Sequence, residues 1–157
     1  MPEPRIRVFR LYKSGRLPED PMGAYLSGGR WNPPGHRMLY TSTHLSLACL
    51  EILSHVTINS VPRQLSCAWT YLPPVTDSLD PQKQLLRRGT EATAEIGKQW
   101  LVQANELAIR VPSIIIPEED NILLNPNAPG YDSLTWDTKP FDWDVRLLNL
   151  LTQSGPS

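Results

Sequence analysis

Long apolar runs are missing from this 157-residue chain. None approaches the ~18–20 residues that a membrane-spanning helix needs, and no secretory signal stands in the sequence. Metal-ligand spacing is missing too: His36, His44 and His55 fall into no ligand pattern with one another or with the two cysteines. Cys49 and Cys67 sit inside apolar patterns and read as small buried hydrophobes. These absences predict a soluble cytoplasmic protein with reduced thiols, no metal and no membrane contact. Charge is in short supply, at 20% of residues with a net value of −1. A nucleic-acid partner selects clustered lysine and arginine, and a pair such as Arg87-Arg88 is too small to supply that field, so no direct nucleic-acid binding is expected. The chain also lacks a G-x-G-x-x-G turn between strand and helix, a Walker A lysine, internal repeats and low-complexity segments. There is no G-x-S-x-G elbow either, so a triad assembled from Ser113, His55 and an aspartate has no local support.

Proline, by contrast, is abundant, at 16 of 157 residues against a usual ~5%. Long helical bundles do not absorb that many prolines, and the length suits one domain with a real core. A single α+β domain with many loops follows. Residues 5–12, RIRVFRLY, alternate as a strand with Ile6, Val8, Arg10 and Tyr12 on one face. Residues 13–29 read as loop, and 37–41 as a short strand. Residues 44–56, HLSLACLEILSHV, form a helix for which Ser42 or Thr43 offers an N-cap. Residues 64–72 alternate cleanly, with Leu65, Cys67, Trp69 and Tyr71 on one side. A second helix is predicted over 90–106, with Ile96, Trp100 and Leu101 inward. Apolar runs follow at 107–111, 113–116 and 122–125. Pro112 and Pro117 limit Ser113–Ile116 to a short strand or a sheet edge. The tail carries Trp136, Pro140, Trp143 and Asp144 before a last apolar stretch, Val145–Leu151.

Chemistry gathers in residues 28–51, GGRWNPPGHRMLYTSTHLSLACLE. The 44–56 helix is apolar in nearly every direction, which predicts burial, yet it carries Glu51 beside Leu47, Ala48, Ser54 and His55. An unpaired buried carboxylate costs several kcal/mol, so such an acid has partners or a task. Pairing with His55 or escape to solvent is the plainer alternative. Arg30, after Gly28-Gly29, presents a guanidinium shaped for two parallel bonds to phosphate oxygens, although a turn with a surface arginine reads the same way. Tyr40 offers a face that stacks on a flat ring, or an ordinary core aromatic. Glu118-Glu119-Asp120 reads as a solvated turn. Trp136 and Trp143 are candidates either for a partner surface or for core packing.

Taken together, GGRWNPPG, MLYTSTHLSLACLE, RVPSIIIPEEDNILLNP and PFDWDVRLL resemble the RES domain, the toxin half of bacterial RES–Xre toxin–antitoxin pairs. The motifs run in the same order from about residue 5 to residue 150, within one domain spanning 1–157 and ending in a short tail at 151–157. The resemblance implies an ADP-ribosyltransferase-like fold with a mixed β-sheet core flanked by helices. It implies consumption of NAD⁺ by breaking the nicotinamide–ribose bond, with water or phosphate as acceptor and no resident cofactor. The family's arginine, tyrosine and glutamate fall on Arg30, Tyr40 and Glu51, and its serine on Ser113. Arg10 and Asn125 fall on further positions assigned to NAD⁺ binding. Asp120 departs from the pattern, since relatives often carry arginine before the asparagine at 121. Two rival readings accompany this one: ADP-ribose transfer to a protein, and a non-catalytic binding domain. The implied partner is an Xre-like antitoxin covering the active site, and the resemblance extends to a homodimer.

Overall fold

The computed structural model describes residues 3–79, 90–103 and 105–153. Arg87-Arg88, residue 104 of the predicted second helix and the end of the tail therefore lie outside the described residues. In chain order the elements are β1 (Ile6–Lys13), α1 (Met22–Ser27), β2 (Leu39–Ser42), α2 (Leu45–Leu53), β3 (Leu65–Leu72), α3 (Thr90–Gln103), β4 (Ala108–Pro112), β5 (Asp120–Leu124), β6 (Asp137–Phe141) and α4 (Val145–Thr152). The strands form one six-stranded sheet in the order β4-β5-β2-β1-β3-β6. Every strand pairing in it is antiparallel. The parallel component expected of a mixed sheet is confined to an isolated bridge between Ser78 and Arg110.

Strand alternation divides the core in two. On one face, Trp31, Met38, Ile109, Val111 and Leu123 pack with Trp100 and Leu101 of α3. On the other, Val8, Leu39, Leu72, Ile122, Leu124 and Tyr131 form a second cluster, backed by Leu134 and Trp136. Each cluster contains strand residues two apart, as a sheet buried on both faces requires. β3 shows this well: Cys67 and Ala68 are both fully buried although they point to opposite faces, while Tyr71 of the expected apolar side is exposed. Trp136 and Trp143 both resolve toward packing. Trp143 donates its Nε1–H to the Pro62 carbonyl at 2.9 Å and stands edge-on to Phe141.

Four expectations are corrected. Neither Ser42 nor Thr43 caps α2; His44 occupies that position without a side-chain bond. The two hydroxyls go to β5 instead, Ser42 to the Asn121 side chain and Thr43 to the Asp120 carbonyl. α2 is also less buried than its composition suggests, because only Leu47 and Ala48 are fully covered and Leu50 stays 39% exposed. Ser113–Ile116 is a turn, not a strand. Its backbone amides at Ile115 and Ile116 both donate to Ser113 Oγ at 3.1 Å, so one side chain satisfies donors that a sheet partner would have taken. The 13–29 loop contains one short helix, α1.

Candidate functional site

α2 lies against β1 and β2, and its half-buried Glu51 turns toward the sheet. Glu51 Oε1 accepts two hydrogen bonds, from Ser113 Oγ at 2.8 Å and from Asn121 Nδ2 at 2.8 Å. Among the described residues Oε2 has no protein partner, and His55 does not pair with it. Ser113 is only 2% exposed, and its oxygen already takes two backbone amides while giving its proton to Glu51. Such a hydroxyl is committed; it orients Glu51 and is not poised as a nucleophile.

Tyr40 stands on the same face of the sheet. Its hydroxyl donates to Asn32 Oδ1 at 2.6 Å and accepts from the Trp31 amide at 3.0 Å, fixing the phenol against the Gly28–Asn32 turn. Burial holds its pKa above the ordinary 10, so the hydroxyl stays protonated and donating at neutral pH. The turn depends on its glycines. Gly28 adopts φ +72°, and a Cβ at Gly29 would stand 2.6 Å from Tyr40 Oη. The same turn presents Arg30, whose guanidinium makes no hydrogen bond or ion pair among the described residues. Its carbonyl is held by Thr93 of α3 at 2.6 Å.

Between these elements lies a cleft of about 470 Å³, walled by the Gly28–Trp31 turn, Tyr40, Asn121, Glu51 and Ile52 of α2, and His55 and Val56 just after it. It continues past Arg30 and His55 into a second space of about 520 Å³ bounded by Glu91 and Glu95 of α3. The cleft is of a size that takes a small organic ligand. It offers one carboxylate with a free oxygen, one free guanidinium, one locked phenol and apolar walls. That set can hold a flat ring, a diphosphate and a developing positive charge, and it provides no activated nucleophile. Among the described residues no cluster of histidine, cysteine, aspartate or glutamate could hold a metal ion.

A family model described as the RES domain matches residues 5–144. The chain belongs to the RES domain family. Curated relatives of this RES chain include "Toxin Res" of Yersinia enterocolitica, 34% identical over 135 residues that cover 80% of this chain and 87% of the relative. "Toxin Res" of Pseudomonas putida is 30% identical, covering 80% and 89%. A "Prs ADP-ribosylating toxin" of a Sphingobium species is 29% identical, covering 68% and 71%. In fold, the RES chain is similar to a protein in the crystal structure of the M. tuberculosis MbcT-MbcA toxin–antitoxin complex. The TM-score is 0.70 at 15% identity, covering 97% of this chain and 91% of that one.

Four of the six predicted site residues of the RES chain, Arg30, Tyr40, Glu51 and Ser113, come together around the cleft. Arg10 borders a smaller space beside Tyr40, Glu51 and Asn121, but its guanidinium does not join them. Alternation along β1 sends its side chain to the opposite face with Val8, where it lies near Tyr131, over the Tyr12 ring, and 3.5 Å from the Asp20 carbonyl. Desolvation depresses its pKa, and its Nε is buried without a partner. Asn125 is also elsewhere. It directly follows β5, past the end away from Asn121, and its Oδ1 accepts the Asn127 amide at 3.0 Å in a turn. Asp120, at the start of β5, pairs with Arg110 at 3.2 Å. Two residues of the site were not read from the sequence as functional: Asn32, which locks Tyr40, and Asn121, which binds Glu51. Asn32 stands within GGRWNPPG, but the partner of a side-chain amide is set by the fold and not by spacing.

Proposed function

We propose that this RES-domain chain is the toxin of a toxin–antitoxin pair and breaks the nicotinamide–ribose bond of NAD⁺. The observation that carries the reading is Glu51: a carboxylate whose Oε1 is tied to Ser113 and Asn121 and whose Oε2 is left for a substrate, in the cleft that Arg30 and Tyr40 share. In the reaction the C1′–N bond breaks and its electron pair leaves with nicotinamide. Nicotinamide departs neutral because its ring nitrogen was the positive centre, so little acid catalysis is needed. Positive charge develops on the ribose, and a fixed carboxylate stabilises it more than it stabilises the ground state. Water or phosphate then bonds to C1′, water giving one proton to solvent. Arg30 binds the diphosphate, Tyr40 packs against the nicotinamide end, and Glu51 Oε2 holds the ribose hydroxyls. The space beyond Arg30 takes the adenosine half. An Xre-like antitoxin masking the cleft mouth is the partner in this reading, and the fold neighbour is itself part of a toxin–antitoxin complex.

The test is to incubate purified protein, freed of antitoxin, with NAD⁺ in the presence and absence of phosphate and to weigh the products. Nicotinamide with ADP-ribose identifies a hydrolase; a phosphorylated ADP-ribose formed only with phosphate identifies a phosphorylase. Unchanged NAD⁺ in both arms rejects depletion. A second reading, ADP-ribose transfer to a protein, is favoured by the printed name of the Sphingobium relative. It predicts that label from the adenylate portion of NAD⁺ stays on protein.

A further inference from the structure

Asn121 has its side-chain amide held at both ends. Ser42 Oγ donates to Asn121 Oδ1 at 2.7 Å, and Asn121 Nδ2 donates to Glu51 Oε1 at 2.8 Å. Ser42 is 4% exposed and lies directly opposite Asn121 in the β2–β5 register. The chemistry fixes the amide's orientation. Turned over, its oxygen would face a carboxylate oxygen and the bond to Glu51 would be lost, because a carboxylate only accepts whereas a hydroxyl can turn to accept or donate. The carboxylate therefore selects which end of the amide it meets, and Ser42 anchors the other end. On the other side Ser113, a residue of the turn after β4, gives the second donor to the same oxygen.

We propose that Ser42 and Asn121 form a positioning pair that holds Glu51, fills Oε1, and so presents Oε2 alone to the substrate. This rests on the assignment of Glu51 to NAD⁺ cleavage, but the electrostatic part of it can be read without turnover. Two donors on one oxygen fix the carboxylate plane and leave Oε2 as the oxygen that faces the cleft. The other titratable groups around Glu51 are Tyr40 and Arg30 across the cleft and His55 in the turn after α2. On the β5 side Asp120 is paired with Arg110, and Glu119 faces His44 at 3.5 Å. None of these supplies a donor to Oε1.

The deciding variant is Asn121→Asp, which keeps the shape and replaces the donor by an acceptor that carries charge. Two carboxylates at that spacing cannot both ionise readily, so the Glu51 titration midpoint rises by at least about one pH unit. Carboxyl ¹³C titration of the purified protein reads this directly, and the acid limb of kcat moves with it while KM changes less than threefold. Asn121→Ala, which removes the donor without adding charge, raises the midpoint by a smaller amount and lowers kcat by about tenfold or more. Ser42→Ala lowers kcat less, and the Ser42→Ala/Asn121→Ala double variant is no worse than Asn121→Ala alone, because the serine acts only through the amide. An unmoved Glu51 midpoint in both Asn121 variants, or fully additive losses in the double variant, would overturn the proposal. If neither the parent protein nor any variant consumes NAD⁺ while the midpoint still moves, the activity assignment fails and the positioning pair stands.

Discussion

The two faces of the β1–β2–β5 sheet bury charge in opposite ways. On the α2 face Glu51 is half-buried, held by two donors through one oxygen, and open to a cleft through the other. On the opposite face Arg10 lies with Val8 and Tyr131 and has one weak bond and an orphaned Nε. Both charged groups look alike in the sequence, each a charged residue in an apolar pattern. The difference is where the unsatisfied valence points. Oε2 of Glu51 is left over beside space, a free guanidinium and a locked phenol, whereas Arg10 Nε is left over inside packed side chains. The free atom of Glu51 stands next to a cavity, and that of Arg10 lies against packed side chains.

Substitutions should separate the faces. The largest effect is expected from Arg30→Ala, which removes the only free guanidinium among the residues walling the cleft. Its kcat/KM for NAD⁺ should fall about 30–100-fold, the scale of a lost charge-assisted pair, with little change in Tm. A fall of less than threefold would remove the diphosphate from the Arg30 side. Next comes Gly29→Ala, whose Cβ meets Tyr40 Oη at 2.6 Å and Asn32 Oδ1 at 3.1 Å. Urea unfolding should show a loss of about 1–3 kcal/mol from overpacking, and turnover should fall with it as the phenol is displaced. A neutral result would mean the turn is more compliant than its contacts indicate. Arg10→Met is the sharpest contrast. It removes a half-buried cation whose Nε is buried without a partner, so Tm should stay level or rise and NAD⁺ turnover should stay within threefold. A tenfold loss of turnover there would break the division between faces.

The smallest effect concerns alkaline pH. Burial raises the phenols of Tyr40 and Tyr131 above their ordinary value of 10.0. A raised folded pKa means the neutral phenol is preferred in the fold, so this contribution to stability is complete below about pH 10 and is lost as pH climbs beyond it. Urea midpoints should be insensitive to these groups between pH 7 and 9 and decline above 10, less steeply in Tyr131→Phe. A midpoint that rises above pH 10 would reverse the sign.

The sequence carried the strands whose two-residue alternation is strong, β1 and β3, and the apolar helix α2. It did not carry β6, where Asp137–Lys139 and Pro140 are exposed and only pairing with β3 makes them a strand. α1 escaped for a similar reason, being six residues with no buried side chain to set a period. Within the site, Glu51 was legible from physics, because a carboxylate in an apolar helix needs partners. Arg30, Tyr40 and Ser113 were legible through the RES resemblance. The face of Arg10 was read correctly, but which face holds the cleft depends on how β2 and β5 join β1. Asn121 was out of reach for the same reason: its partner Ser42 lies 79 positions away and meets it only through strand register.

The central claim is that the free oxygen of Glu51 stabilises the positive charge that develops on the ribose as its bond to nicotinamide breaks. The most direct measurement is nicotinamide release from NAD⁺ by the parent protein and by Glu51→Gln, side by side, with Tm recorded for both. The account predicts measurable release by the parent, a loss of at least ~100-fold in the variant, and an intact fold. Equal release by the two proteins would contradict it.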